Sequence, residues 1–249
     1  MIKIDIKNLH KSFGSKQVLR GVNLSVNSGE ILCVIGKSGT GKSVILKHLV
    51  GILEPDEGSI AVDGAVMTNS DRKIKNSIIS KFGILFQGAA LFDSMSIFDN
   101  VAFGLRRRGL AEDEVKRIAD ESLYNVGLAS VENKRPSELS GGMQKRAGLA
   151  RAISIRPEIM LYDEPTTGVD PITAGVVDNL IMQMRDSFNI TSIVVTHDIT
   201  SAYRIADRIA MLYEGEIIFI GTVEETKNNE NPYIMQFIEG TVNGPIKVI

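Results

Sequence analysis

The residues at positions 36–43 have the types and spacing needed to bind a phosphate group. They read Gly-Lys-Ser-Gly-Thr-Gly-Lys-Ser, which matches the pattern G-x-x-x-x-G-K-[ST] of phosphate-binding loops. Glycines let several backbone N–H groups face one anion, Lys42 supplies a charge for the β- and γ-phosphates, and Ser43 offers a hydroxyl to Mg²⁺. The residues that we expect to form this nucleotide site are Gly36, Lys37, Ser38, Gly39, Thr40, Gly41, Lys42, Ser43 and Val44.

The flanking segments favour this interpretation over a glycine-rich turn that matches by accident. Residues 30–35 are almost entirely apolar, which is typical of a strand buried on both faces. Residues 42–53 carry apolar side chains at helical spacing, so a helix is predicted directly after the loop. A helix that begins there directs its positive N-terminal end at a bound anion.

Two carboxylates follow another apolar segment at 159–162. Asp163, at the end of this predicted strand, could hold Mg²⁺ directly or through water. Glu164 could then polarise a water molecule for attack on the γ-phosphate. The alternative is a strand followed by an acidic turn without a catalytic role, but the phosphate loop upstream favours the catalytic interpretation.

A second glycine-rich segment, Leu-Ser-Gly-Gly-Met-Gln at 139–144, opens another predicted helix. Its backbone N–H groups and the Ser140 hydroxyl would form an anion site, unless the segment is an ordinary helix N-cap. Between a phosphate loop and an apolar strand ending in Asp-Glu, this segment resembles the signature motif of ATP-binding-cassette (ABC) ATPases. The resemblance extends over residues 2–225 and implies ATP and Mg²⁺ as ligands and ATP hydrolysis as the reaction.

The resemblance also implies roles for three further residues. Phe13 lies where the family places an aromatic residue, usually tyrosine, against the adenine ring. Gln87 resembles the glutamine that touches Mg²⁺ and the attacking water, and His197 resembles the switch histidine that contacts the γ-phosphate. A lone histidine after a strand is otherwise usually a polar loop residue. We interpret His10 and His48, which lack such support, as surface or partly packed residues.

The resemblance implies that two copies of the chain sandwich two ATP molecules, each copy offering its signature segment to the ATP of the other. Because the chain carries one of each motif, a homodimer is the simplest assembly. The implied catalytic residues are Glu164, His197 and Gln87, and the implied Mg²⁺ ligands are Ser43, Gln87 and Asp163. The residues implied to face the other subunit are Ser140, Gly141, Gly142 and Gln144, together with Asp170 of a dimer loop at 168–171.

The order of predicted elements indicates how these residues are positioned. Strands alternate with helices, which predicts an α/β fold with a mainly parallel sheet. The predicted strands lie at 2–6, 22–26, 30–35, 59–62, 82–86, 159–162, 192–196, 208–213 and 216–220, and the predicted helices at 42–53, 98–105, 111–126, 143–155 and 171–187.

The resemblance implies a P-loop NTPase core of the ABC ATPase type, with an antiparallel β portion and an inserted α-helical subdomain. We expect an ABC ATPase domain at 1–230, formed by a core at 1–86 and 156–230 and a helical subdomain at 87–155. A C-terminal tail at 231–249 follows.

Composition limits the function classes. A length of 249 residues with 43% hydrophobic residues suits one sizeable α/β domain, or one domain with a subdomain. The net charge of −2 argues against a nucleic-acid-binding surface. Cys33, the single cysteine, falls in a predicted buried strand and indicates a reducing compartment. Without a signal peptide or an apolar run near ~20 residues, we expect a soluble, cytoplasmic protein that reaches membranes through a partner.

Residues 86–101 and the tail at 231–249 resemble the lipid-asymmetry branch of the family, the ATPase of MCE-type transporters that move phospholipids across the Gram-negative envelope. This branch implies a membrane permease, an MCE-type lipid-binding subunit and a place at the cytoplasmic face of the inner membrane. One alternative is the ATPase of an importer for a polar solute such as an amino acid. A soluble ABC ATPase acting on nucleic acid or ribosomes, and a binding module without turnover, are the other two.

Two apolar segments predict contacts with partners. Five large apolar side chains lie close together at positions 91, 92, 95, 97 and 98, and they either pack the helical subdomain or form a groove for a cytoplasmic helix of the permease. In the tail, Asn231 and Pro232 could open a short helix. This helix would dock on its own subunit or, as the branch resemblance suggests, reach across to the second ATPase subunit.

Overall fold

A computed structural model describes residues 1–247 of the chain. Its strands are β1 (Ile2–Phe13), β2 (Lys16–Asn27), β3 (Ile31–Ile35), β4 (Glu57–Val62), β5 (Ala65–Val66), β6 (Phe82–Leu85), β7 (Ile159–Asp163), β8 (Thr191–Thr196), β9 (Arg208–Tyr213) and β10 (Glu216–Thr222). Its helices are α1 (Lys42–Leu49), α2 (Arg72–Ile79), α3 (Ile97–Arg107), α4 (Glu112–Asn125), α5 (Gly141–Ser154), α6 (Pro171–Phe188), α7 (Ile199–Ile205), α8 (Val223–Lys227) and α9 (Pro232–Glu239).

The chain folds into two compact units, the first formed by Met1–Ile79 with the chain from Thr191 onward, and the second by Ser80–Ile190. The predicted division into a core and a helical subdomain at 87–155 stays a prediction. Within residues 1–247, no helix has the length and apolar character required to cross a membrane.

The first unit contains two groups of strands. An antiparallel sheet has the order β2-β1-β4-β5, with alternate side chains of β1 and β2 buried. In the second group, β3 runs parallel to β8 on one side and to β9 on the other, and β10 pairs antiparallel with β9. All five residues of β3 are buried, as expected for a parallel strand covered on both faces. The predicted α/β fold with an antiparallel portion is confirmed.

The second unit combines the parallel pair β6 and β7 with four longer helices. Apolar residues of α3 and α4, among them Leu105 and Val115, form a buried cluster against which Phe98 packs. Four helices were predicted here within a few residues of their observed bounds, because their apolar residues recur at helical spacing.

The observed elements differ from the predicted ones in several places. Strands β1 and β2 each run over twelve residues, well beyond the predicted strands at 2–6 and 22–26. Helix α1 ends at Leu49 rather than near residue 53, because Gly51 takes a left-handed φ of 70° that ends the helix. The charged stretch at 70–80 contains helix α2, which only Ile78 anchors in the core, while the Asp71 carboxylate accepts hydrogen bonds from the first helical N–H groups. Strand β6 ends at Leu85, one residue earlier than predicted.

The tail helix α9 forms as predicted. The Asn231 side chain caps it, accepting a hydrogen bond from the Tyr233 N–H, and Gly240 ends it in a left-handed conformation. The ring of Tyr233 lies 4.8 Å from that of Tyr213, and Ile234 is fully buried. The described part of the tail therefore packs on the first unit of its own chain. Contact with a second subunit stays a prediction, and residues 248–249 lie outside the described residues.

Candidate nucleotide site

The phosphate loop lies between the buried strand β3 and helix α1, as its sequence predicts. Gly36 has a φ of 150°, and a Cβ atom there would lie 2.3 Å from the carbonyl oxygen of Leu212, so only glycine fits. Gly41 caps α1 with a φ of 107°. Ser38 and Gly39, at the crown of the loop, are exposed. The loop thus leaves its outer face open while its ends are fixed by backbone geometry.

Lys42 folds back over this loop. Its ammonium donates hydrogen bonds to the carbonyl oxygens of Gly36, at 2.7 Å, and Lys37, at 3.2 Å, and the residue is only 5% exposed. Thr40 closes the loop further by donating from Oγ1 to the same Lys37 carbonyl. The chain therefore holds one positive charge inside the loop, at the N-terminus of α1, where the helix dipole also favours an anion.

His197 and Phe13 belong to the same unit as the loop. Strands β3 and β8 are in parallel register with Ile35 beside Thr196, so the residues that follow, Gly36 and His197, leave the sheet at the same edge. Phe13 ends β1 and keeps 46% of its surface exposed, with the Lys11 ammonium 5.7 Å from the ring centre. This unit thus carries an exposed aromatic ring and an exposed imidazole.

The second unit brings together Gln87, Asp163 and Glu164. Strands β6 and β7 are parallel with Leu85 beside Tyr162, so the segments that carry Gln87 and Asp163 leave neighbouring strand ends. Glu164 has a left-handed φ of 50°, and its carboxylate accepts a hydrogen bond of 3.1 Å from the Thr167 hydroxyl. Gln87 is exposed, whereas Glu164 is 8% exposed.

Sequence reasoning missed Lys145, which joins these two segments. Its ammonium donates to the carbonyl oxygens of Gln87, at 3.0 Å, and Glu164, at 3.3 Å, and the residue is 6% exposed. Burial lowers the pKa of this ammonium, and the charge of Glu164 opposes that effect. In the sequence Lys145 lies between Gln144 and Arg146, directly after the signature segment, and nothing there indicates its acceptors.

The signature segment and the dimer loop also meet in the second unit. Ser140 caps α5, its hydroxyl accepting a 3.3 Å hydrogen bond from the Met143 N–H. A Cβ atom on Gly142 would lie 2.4 Å from the Thr173 methyl group, which places the first turns of α5 and α6 side by side. Asp170 caps α6 through the N–H groups of residues 172 and 173, and the Thr173 hydrogen bonds hold the pKa of its carboxyl below the usual range.

Gln144 is engaged within its own chain. Its side-chain N–H group donates to the carbonyl oxygens of Pro136, at 2.9 Å, and Leu139, at 3.2 Å. These bonds fix the turn that leads into the signature helix. Contact of Gln144 with the ATP of a second subunit stays a prediction.

The other two histidines differ in surroundings. His10 bonds through Nε2 to the side chain of Asn8 on the surface. His48 is fully buried in α1, where its Nδ1 lies 2.9 Å from the carbonyl oxygen of Leu53. It is thus more deeply packed than the sequence predicts, and burial lowers its pKa.

Comparisons with known proteins agree with this arrangement. A profile of the family described as ABC transporter matches residues 19–167. The chain is 42% identical over 246 residues to the probable ribonucleotide transport ATP-binding protein mkl of Mycobacterium leprae, covering 98% of this chain and 71% of that protein. It is 38% identical over 245 residues to the intermembrane phospholipid transport system ATP-binding protein MlaF of Haemophilus influenzae, covering 98% of this chain and 93% of that protein.

Among solved structures, the chain is similar to the ATP-binding cassette MJ0796 in a dimeric, post-hydrolysis state bound to ADP and Pi. The TM-score is 0.81 at 30% sequence identity, covering 88% of this chain and 98% of that one. The family profile spans the phosphate loop, the signature segment and the strand that ends at Asp163. The chain therefore belongs to the ABC transporter family, as a subunit that hydrolyses ATP.

Proposed function

We propose that this ATPase powers a transporter that moves phospholipids between membranes. The observation that carries the proposal is its similarity, over 98% of its length, to two proteins named as intermembrane phospholipid transport system ATP-binding proteins. These are the proteins of Haemophilus influenzae, at 38% identity, and Escherichia coli K12, at 35% identity. The resemblance of residues 86–101 to the same branch also supports it.

For ATP binding, we propose that the Phe13 ring stacks on the adenine and that the loop N–H groups hold the phosphates. Lys42 neutralises charge on the β- and γ-phosphates, a role suited to its place inside the loop. His197, at the same sheet edge as the loop, contacts the γ-phosphate.

The Mg²⁺ site is proposed from the chemistry of its donors. The Ser43 hydroxyl, the Asp163 carboxylate and the Gln87 amide are hard oxygen ligands, which Mg²⁺ prefers. The described residues contain no group of three or more His, Cys, Asp or Glu side chains that could hold a metal alone. This fits Mg²⁺, which is usually bound by one or two carboxylates together with substrate phosphates. When bound, the ion neutralises charge that develops on the phosphates.

For hydrolysis, we propose that Glu164 accepts a proton from the attacking water and that Gln87 orients this water. Two structural features suit Glu164 to the task. It is nearly buried and has a left-handed backbone. Its carboxylate accepts a hydrogen bond from the Thr167 hydroxyl, and its backbone carbonyl accepts one from the Lys145 ammonium. A carboxylate held in this way reaches the water with little reorganisation.

In the assembly we propose, two copies enclose two ATP molecules, and Ser140, Gly141 and Gly142 of one copy face the phosphates of the other. Asp170 contacts the partner copy. ATP binding closes the pair and hydrolysis reopens it, which drives a membrane permease at the cytoplasmic face. The dimeric state of the similar cassette MJ0796 supports this arrangement.

An open groove in the second unit suits the permease contact. Its volume is about 510 Å³, and it is lined by Ser94, Met95, Asp99, Phe103, Arg106 and Arg107. Phe92 is 42% exposed and its ring lies 4.9 Å from that of Phe103. Phe98 instead packs against the helical cluster, in line with the alternative interpretation, and Ile97 is fully buried. We propose that a cytoplasmic helix of the permease occupies this groove.

A second candidate cargo is a ribonucleotide, because the mycobacterial relatives at 42% identity are named as probable ribonucleotide transport proteins. To separate the two, the affinity-tagged chain is purified with its membrane partners and reconstituted in lipid vesicles. ATP-dependent transfer of a fluorescent phospholipid, absent with Glu164→Gln, is the expected result. ATP-dependent uptake of a radiolabelled ribonucleotide without phospholipid transfer would overturn the proposal.

A further inference from the structure

The segment that follows β6 has an unusual backbone. Ala89 and Ala90 are consecutive non-glycine residues with left-handed φ values of 58° and 49°. Such conformations are disfavoured for L-residues and persist only where the surroundings enforce them. Because Gln87 lies two residues before Ala89, whatever enforces this backbone also determines where Gln87 is held.

Helix α5 supplies the restraint along one of its faces. Arg151 donates from its guanidinium to the carbonyl oxygens of Ala90, at 2.6 Å, and Ala89, at 2.9 Å. Gly148, one turn earlier, lets the helix lie close to the backbone of Ala89. A Cβ atom at Gly148 would be 3.1 Å from the Ala89 carbonyl oxygen. Lys145, another turn earlier, donates to the Gln87 carbonyl. These three residues are spaced at i, i+3 and i+6 and therefore share a face of the helix.

Lys145 differs from the other two because it also binds the carbonyl oxygen of Glu164. One ammonium thus joins the backbone of the glutamine loop, residues 87–90, to the backbone of Glu164, the proposed catalytic residue. The two segments follow neighbouring strands of the sheet. Both acceptors are carbonyl oxygens, so Lys145 acts on these two segments as a hydrogen-bond donor to their backbones. Its position five residues after the Ser140 cap ties both segments to the signature helix.

We propose that Lys145 is a positioning residue for ATP hydrolysis, holding the backbones of Gln87 and Glu164 at a fixed separation from the signature helix. This inference rests on the roles proposed above for Gln87 and Glu164. Loss of the two hydrogen bonds frees both segments, so the chemical step slows while the phosphate loop keeps its affinity for ATP.

The test compares Lys145→Met, which removes the donor at similar volume, with Lys145→Gln, which keeps an N–H donor one bond shorter. With Mg²⁺ and ATP, we expect Lys145→Met to lower kcat about tenfold, a loss of about 1.4 kcal/mol of transition-state stabilisation. Binding of a fluorescent ATP analogue should stay within about twofold of the wild type. Lys145→Gln should fall between the two, with kcat lowered about two- to fivefold. Lys116→Met, which removes an exposed lysine paired with Asp120, is the matched control and should keep the wild-type kcat.

Wild-type kcat in Lys145→Met, or equal losses in the Met and Gln variants, would overturn the inference. A parallel loss of ATP binding would do the same, because it indicates general damage to the fold. Should Lys145→Met fail to fold, Lys145→Gln alone carries the test, and wild-type kcat in that variant would overturn the inference.

A double-mutant cycle with Glu164→Gln separates this inference from the proposed function. Because Lys145 acts in part through Glu164, Lys145→Met should lower the residual hydrolysis of Glu164→Gln by clearly less than the tenfold expected in the wild type. A full tenfold loss in that background would overturn the inference. If Glu164→Gln itself keeps wild-type turnover, the proposed function fails. If Glu164→Gln is inactive while Lys145→Met is unchanged, only the positioning role fails.

Discussion

The phosphate loop and the glutamine loop at 87–90 both follow buried parallel strands, yet they are held in different ways. The phosphate loop reaches its left-handed conformations with glycines, and its lysine closes on carbonyl oxygens only five and six residues away. The glutamine loop reaches them with alanines, restrained by Lys145 and Arg151 from 58 to 62 residues along the chain. One loop is specified locally and the other by tertiary contacts.

The largest expected effect comes from Lys42→Ala, which removes the charge held inside the phosphate loop. We expect ATP hydrolysis to fall about 10²–10³-fold, the scale of losing one donor aimed at developing charge. ATP binding should weaken as well, because the same charge attracts the phosphates in the ground state. Phosphate release measured against Lys47→Ala, an exposed lysine of the same helix, checks this. Full turnover in Lys42→Ala would contradict the assignment of the loop.

Gly36→Ala tests whether the phosphate loop depends on its glycines. The added Cβ atom would meet the Leu212 carbonyl oxygen at 2.3 Å, so the backbone must shift. We expect a loss of about 2–3 kcal/mol in the free energy of unfolding, measured by urea denaturation without nucleotide.

Gly39→Ala is the matched control, because its φ of 80° is left-handed while no atom lies within 4 Å of the added Cβ. Its free energy of unfolding should fall by only about 1 kcal/mol, which is the steric penalty of the left-handed backbone for a residue with a Cβ atom. Equal losses at the two positions would show that backbone conformation alone, rather than the close contact with Leu212, restricts the loop.

The difference between the loops explains what the sequence could predict. The phosphate loop and the strand and helix beside it were predictable because neighbouring residues decide them. The cap of α5 by Ser140 was predictable for the same reason. Lys145 could not be assigned a contact, because nothing near it in sequence indicates its distant acceptors. Helix α2 was missed because its apolar contribution to the core is small, with Ile78 alone buried among charged neighbours.

His48 provides a pH-dependent test of the packing of α1, the helix that follows the phosphate loop. Burial, opposed by the Leu53 hydrogen bond, lowers its pKa, with Lys11 lowering it further and Asp56 and Glu54 raising it. The unfolded chain therefore binds a proton at a higher pH than the folded chain does. The contribution of His48 to stability is complete above its unfolded value near 6.5 and is lost as pH falls below it.

The measurement is the free energy of unfolding at several pH values from 7.5 to 5. We expect the wild type to lose stability more steeply than His48→Gln below about pH 6.5, by at most about 1.4 kcal/mol per pH unit, the limit for one proton. Identical pH dependence in the two proteins would show that His48 has the same pKa in the folded and the unfolded chain, which contradicts this prediction.

The smallest expected effect is that of Ala90→Gly, and it addresses the glutamine loop directly. Relief of the left-handed strain should raise the free energy of unfolding by about 1 kcal/mol. The greater freedom of glycine in the unfolded chain should lower it by about 0.5–1 kcal/mol. The free energy of unfolding should therefore change by less than about 0.5 kcal/mol. Ala174→Gly, inside helix α6, has no strain to relieve and should lose about 1 kcal/mol. If Ala90→Gly were as destabilising as Ala174→Gly, Ala90 would carry no strain in solution, and the loop would not need Arg151 and Lys145 to hold it in place.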